Sequence, residues 1–307
     1  MSYLKGKWFI LFCLLLCGFT CRAQNNPVYS QYLFNGLAIN PAYAGSREVL
    51  NLAALYRTQW MNIDGAPRTQ TLSGDFPLRN PQVALGLLVF NDKISIYRKT
   101  GVFATYAFRV KMNEGKLSFG LQAGFEQMRE EQDKVHVIEP GDPMFDGEIH
   151  RLFMPNVGIG TYYYTSRYFA GLSIPKLLVY SPHKADAYKG KLSFNNVMLY
   201  GGMVFPISTN LKIRPSTLLH YEQKSILFDL NCNVILLPEE TLEVGLSYRN
   251  SNVMVAMAQV RINPQLCIGY TYDHAFGKAS ITKGSHEIML RYEFRYRVNA
   301  ENPLYLK

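Results

Sequence analysis

Any chemistry in this chain has to come from scattered titratable residues. The six histidines, His136, His150, His183, His220, His274 and His286, show no metal-ligand spacing. There is no Gly-x-Ser-x-Gly elbow, phosphate-cradling loop or dinucleotide fingerprint. The sequence therefore assigns no catalytic residue, no cofactor and no metal site, and it reads as a non-enzyme. The densest acidic stretch gathers Glu139, Asp142, Asp146, Glu148 and His150. Oxygen ligands at that density suit Ca²⁺, but the spacing matches no helix-loop-helix calcium site. A solvated acidic loop accounts for it more simply.

Three other groups could recognise rather than react. Glu243, Arg249, Glu287, Arg291, Glu293 and Arg295 occupy alternate positions of two strand-like segments. If those segments close into a barrel, the six charges face its interior. There they form either a pore lining or, as intramembrane charges usually do, a mutually neutralising network. Arg57, Trp60, Asp64, Gly65, Pro67 and Arg68 cluster in one connection. Trp60, Asp64 and Arg68 are candidates for contact with a partner, and an interfacial anchor is the competing reading of Trp60. Tyr162-Tyr163-Tyr164 ends a strand-like segment and reads as part of an aromatic girdle.

The elements carrying these residues show a period of two. In the last one, His286, Ile288, Leu290, Tyr292, Phe294 and Tyr296 alternate with Glu287, Met289, Arg291, Glu293, Arg295 and Arg297. Turning Arg291 or Arg295 toward lipid would cost ~2–4 kcal/mol near the bilayer midplane, so the charged face points inward. The same alternation runs through Leu242–Arg249, Ile226–Val234, Leu117–Glu126 and Val102–Lys111. About fourteen such segments begin near Val49, Arg68, Val83, Thr100, Lys116, Pro155, Tyr168, Leu192, Leu211, Ser225, Thr241, Asn252, Gln265 and Ser285. The Asn252 segment is apolar on both faces, which leaves its register open. Short Asn-, Pro-, Gly- or Ser-rich turns follow the even-numbered segments. The longest connections, Met128–Met154, Pro175–Gly190 and Ala275–Gly284, follow odd-numbered ones. That asymmetry fits an outer-membrane barrel with short periplasmic turns and both termini in the periplasm. A soluble sandwich would show polar outer faces and exposed edges instead. The expected fold is an all-β transmembrane antiparallel barrel of about fourteen strands.

A leader precedes the barrel. Lys5 and Lys7 are followed by the apolar run Trp8–Leu16 and by Cys21-Arg22-Ala23, which predicts a signal peptide over 1–23 cleaved after Ala23. Cys13, Cys17 and Cys21 leave with it, and Cys232 and Cys267 are too few for a disulfide framework. Cys232 is expected to face lipid and Cys267 the lumen. The full chain carries a formal charge of +9. Export makes nucleic acid an implausible partner, and lipid phosphates or acidic surface polymers are better counter-charges. Residues 24–48 then form an N-terminal periplasmic or lumen segment, and 49–307 the barrel. Asn26-Pro27 and Asn40-Pro41 bracket the apolar Tyr32–Ile39, and each Asn-Pro fixes an extended-then-turn geometry. The apolar residues between need shelter, most simply in the barrel mouth.

The segments NPVYSQYLFNGLAINPAYAGS, YRTQW, GAPRTQTLSGDFPL and SHEIMLRYEF resemble the PorP/SprF family of the Bacteroidota type IX secretion system. The resemblance covers the whole mature chain. It implies a fourteen-stranded outer-membrane barrel, similar in build to fatty-acid transporters and without enzymatic activity. It further implies that the protein assists export or surface attachment of large adhesins bearing C-terminal sorting domains, gliding adhesins among them. Contact with the periplasmic ring or its peptidoglycan-linked components is also implied. The positions carrying the resemblance, Pro27, Tyr29, Ser30, Gln31, Tyr32, Asn40, Pro41, Tyr43, Ala44 and Gly45, become candidates for docking or plugging. The alternative function is an outer-membrane transporter of hydrophobic small molecules with the N-terminal segment as a movable plug. The mostly polar and charged inward faces count against it.

Overall fold

In the computed structural model, which describes residues 29–131, 151–180, 189–236, 241–277 and 284–294, the period-two segments are strands. They are β1 (Asn51–Thr58), β2 (Arg68–Pro77), β3 (Val83–Ile94), β4 (Tyr97–Lys111), β5 (Lys116–Glu130), β6 (Arg151–Tyr164) and β7 (Tyr168–Ile174), then β8 (Leu178–Val179), β9 (Lys191–Leu192), β10 (Asn196–Met203), β11 (Phe205–Ser208) and β12 (Leu211–Glu222). The series ends with β13 (Ser225–Leu236), β14 (Leu242–Arg249), β15 (Val253–Arg261), β16 (Leu266–Ala275) and β17 (Ser285–Glu293). β11 prolongs β10 beyond Val204 along the same neighbour, β12. β8 and β9 form a separate two-stranded ribbon.

The remaining strands close a ring of fourteen, each antiparallel to its sequence neighbour. β1 closes on β17, from Asn51 opposite Glu293 to Thr58 opposite His286. Closure leaves no unpaired edge, which a strand in lipid requires. The eighth barrel strand begins at Asn196, not near Leu192, because Lys191 and Leu192 belong to the ribbon with Leu178 and Val179.

The two faces separate by parity. Leu72, Leu121, Leu246 and Ile288 face outward and are 61%, 59%, 58% and 52% exposed. Glu287, Met289, Arg291 and Glu293 face inward and are buried. Cys232 is exposed and Cys267 buried, on opposite faces of the wall. The Asn252 segment also resolves. Val255, Met257 and Gln259 of β15 point inward, and the first two pack with Met289 against Phe34. Its second apolar face meets the chain's own N-terminal segment. The Glu139–His150 stretch lies outside the described residues.

That segment, residues 30–47, is buried within the ring except for half-buried Ala38. Two short 3-10 turns shape it, Gly36–Ala38 and Pro41–Tyr43. Asn40 caps the second turn: its Oδ1 accepts from the Ala42 N–H at 2.9 Å, and Pro41 holds the first position. Tyr32, Leu33, Leu37, Ile39 and Tyr43 share one apolar cluster with the wall residues Tyr162, Phe169, Met198 and Tyr200. At ~1.5–3 kcal/mol for each large apolar side chain sheltered, this cluster is the main apolar anchor of the segment.

Candidate functional site

The concentration of buried polar groups lies where residues 29–47 meet the wall. Pro27 lies outside the described residues. The Tyr29 hydroxyl is 3.1 Å from Thr71 Oγ1. The Ser30 and Gln31 backbone N–H groups both donate to the Glu287 carboxylate, at 3.1 and 2.9 Å, and Gln31 Nε2 donates to the Glu287 carbonyl at 3.2 Å. Ser30 Oγ donates to Asp273 at 2.8 Å. Tyr32 Oη accepts from Asn231 Nδ2, and burial pushes the phenol's pKa up, so it stays a neutral hydroxyl. Asn40 Nδ2 donates to the Thr161 carbonyl at 2.9 Å and to Tyr200 Oη at 3.2 Å. The Tyr43 ring sits 5.5 Å from that of Tyr162. The Gly45 N–H donates to Asp75 at 2.7 Å, and its carbonyl accepts from Arg109.

Other wall groups bind plug backbone. Ser173 donates to the Ile39 carbonyl at 2.6 Å, and Arg291 to the Phe34 carbonyl at 3.3 Å. Each such bond spares a buried backbone group the cost of staying unsatisfied. Charge-assisted ones contribute about 1.5–3 kcal/mol apiece. Two glycines make room for the capped turn. Gly120 and Gly160 pair across β5 and β6 and lie directly beneath it. A β-carbon at Gly120 would overlap the Ala42 nitrogen, and one at Gly160 would overlap Asn40 Oδ1.

The inward charges of β1, β12–β14, β16 and β17 fall into separate clusters rather than one network. Arg57 donates to Asp273 at 2.7 Å and to Glu287 and Ser30 at 3.1 and 3.0 Å. Arg249 grips Asp229 with two bonds of 2.7 and 2.9 Å and lies 3.7 Å from Asp273. Deeper toward the short turns, Arg214 pairs with Glu243, which also accepts from Asn233 at 2.7 Å. At the foot of the plug, Glu293 lies 2.9 Å from Arg47, 3.3 Å from Arg291 and 3.7 Å from Arg261. Arg295 lies outside the described residues.

Two sequence readings are corrected. Arg57 is not part of the outer connection: it is 2% exposed and points into the lumen, because it keeps the inward parity of β1. Tyr162 and Tyr164 are not girdle residues. Both are fully buried, stacked 5.2 Å apart, and Tyr162 also stacks on Tyr200 at 5.9 Å. Only the half-buried Tyr163 is on the outward face. Trp60, Asp64 and Arg68 are exposed on the rim, Trp60 with a left-handed φ of 48° and its N–H 3.4 Å from Ser285 Oγ. Sequence parity could have found Asp229 and Asp273. Arg47 and Arg109 acquire their roles only from the folded plug.

Residues 30–47 occupy the interior, and little room is left beside them at one point. The space between Tyr29, Tyr32, His220, Asp229 and Arg249 measures about 30 Å³, room for roughly one water.

Known proteins place the fold and the family. The monoaromatic hydrocarbon channel CymD is similar over 86% of this chain and 94% of its own, at 12% identity and a TM-score of 0.53. The Ralstonia pickettii toluene transporter TbuX matches 84% of this chain and 92% of its own, at 9% identity and a TM-score of 0.49. The Acinetobacter baumannii outer membrane protein Omp33 matches 82% and 99%, at 13% identity and a TM-score of 0.46. At such identities the likeness to CymD speaks for the barrel alone. No curated protein matches the chain. The family model for the type IX secretion system membrane protein PorP/SprF matches residues 21–292, nearly the whole barrel with its plug. The chain therefore belongs to the PorP/SprF family of type IX secretion system membrane proteins.

Proposed function

We propose that this outer-membrane barrel is a non-enzymatic assembly component of type IX secretion, helping to export or attach a large adhesin-type substrate at the cell surface. The observation carrying this reading is the filled lumen: residues 30–47 occupy the interior and bind wall side chains through their backbone. A barrel so closed suits a docking station better than a conduit for small molecules. In this reading the leader is removed near Ala23 and the short-turn end faces the periplasm, toward the secretion ring or its peptidoglycan-linked components. The rim bearing Trp60, Asp64 and Arg68 faces outward, toward the substrate's C-terminal sorting domain. The same station serves gliding adhesins where the organism glides.

Co-purification from membranes under mild detergent tests it. A large secreted protein or a ring component should come down with the tagged barrel. A deletion strain should lose one surface adhesin while taking up hydrophobic solutes normally. Normal adhesin display with impaired uptake would overturn the proposal in favour of a hydrophobic-solute transporter.

A further inference from the structure

We infer that the lipid-facing wall of β2–β6 carries a seat for a phosphate-bearing lipid of the outer leaflet. Strand register puts five cations in one row: Arg68 opposite Lys93, Lys93 opposite Arg98, Arg98 opposite Arg129, and Arg129 opposite Arg151. All five have outward parity, so they lie on the lipid side of the wall at its long-connection end. At ~4.8 Å between strands the row spans roughly 19 Å. Like charges directly opposite one another weaken strand pairing, so a row of five is relieved by an anionic group seated along it. Among the described residues one carboxylate accompanies it, Glu131, 3.3 Å from Arg98 and 3.8 Å from Lys93.

The rows beneath fit the rest of such a lipid. Two residues inward along each strand comes a mostly uncharged polar row, Gln70, Asn91, Thr100, Gln127 and Phe153. Two further residues in, the row is Leu72, Val89, Val102, Phe125 and Pro155. Cations, hydrogen-bonding groups and hydrocarbon therefore follow in the order that phosphate, headgroup and acyl chains present them. The opposite half of the barrel lacks this pattern. Continued around the ring, the row reads Thr58, His286 and Tyr272. Outward residues near that end of β12 and β14 are Tyr221 and Tyr248. The wall thus has a cationic side and an aromatic side, and the lipid belongs to the first. The outer-leaflet assignment rests on the orientation proposed above.

The test uses the full mature barrel in phosphatidylcholine nanodiscs doped with monophosphoryl lipid A, with retained lipid counted by native mass spectrometry. Wild type should retain lipid A. The double variant Arg98→Gln/Arg129→Gln should lose about tenfold in retention, given that each cation near an anionic surface contributes to attraction. The control pair Arg79→Gln/Lys111→Gln, exposed at the other end, should match wild type. A heat-dependent shift in gel mobility shows that each variant is a folded barrel. Equal retention by the two double variants would sink the idea. So would full displacement by free inorganic phosphate, which would make the row a phosphate site rather than a lipid seat. Impermeant labelling of an Asp64→Cys variant on whole cells reports orientation separately. If that label fails while retention behaves as expected, the seat stands and its assigned leaflet falls.

Discussion

Arg57 shows how tightly the plug and the wall are joined. One guanidinium satisfies Asp273, Glu287 and Ser30 together, and Glu287 in turn holds two plug N–H groups. Removing it leaves the buried Glu287 carboxylate without its ion-pair partner and Asp273 with only Arg249, 3.7 Å away. Arg57→Ala is expected to destabilise the folded barrel by about 3–5 kcal/mol. A lower urea midpoint at unchanged slope would show it, and a midpoint equal to wild type would exclude it. Arg57→Lys should recover only part of the loss, since an ammonium cannot reproduce the planar fork. The sequence places Arg57 beside Trp60 and so invites the wrong grouping. Alternation from Leu55, two residues earlier, is the better guide, since parity survives to the last residue of a strand while nearness in sequence does not.

At the scale of elements, the strands were legible and the plug was only half legible. Strand starts at Arg68, Val83, Lys116, Tyr168, Leu211, Ser225 and Ser285 follow directly from alternation and turn residues. The breaks in that alternation say more. The doubly apolar β15 and the inward Tyr162 and Tyr164 look like noise or girdle when a lumen is assumed to be wet. They are the wall's half of an apolar interface whose other half is Phe34 and Tyr43. No single strand contains that information, because it lies in complementarity between segments far apart in sequence. Gly120 and Gly160 are the cleanest instance. Gly160→Val should expel the Asn40-Pro41 turn yet leave a membrane-inserted barrel. Cys267, 2% exposed in the plugged barrel, is the reporter. In a Cys232→Ser background, maleimide modification of Cys267 should be slow in the parent and fast in the Gly160→Val variant. Equal rates would mean that the turn tolerates the added bulk.

For the whole molecule, closure of the ring and filling of the ring are separable. The wall has its own continuous ladder through all fourteen barrel strands. Deleting Asn25–Gly45 should therefore leave a heat-modifiable barrel in the membrane. In planar bilayers the deleted form should conduct steadily where the parent is silent, and cells carrying it should fail to display their adhesin. Normal display by the deletion would reduce the plug to packing.

The seam between β1 and β17 also dictates an order of events. The plug precedes β1 in the chain, yet several of its charge-assisted contacts are to β17: Ser30 and Gln31 on Glu287, and Arg47 on Glu293. A ring sealed first would have to be threaded afterwards by a folded, side-chain-rich segment. The plug can instead settle first on the early strands, Tyr29 beside Thr71 and Gly45 on Asp75, and gain its β17 partners as the sheet zips shut. Closure of β1 on β17 is then expected to be the step that seals an already seated plug.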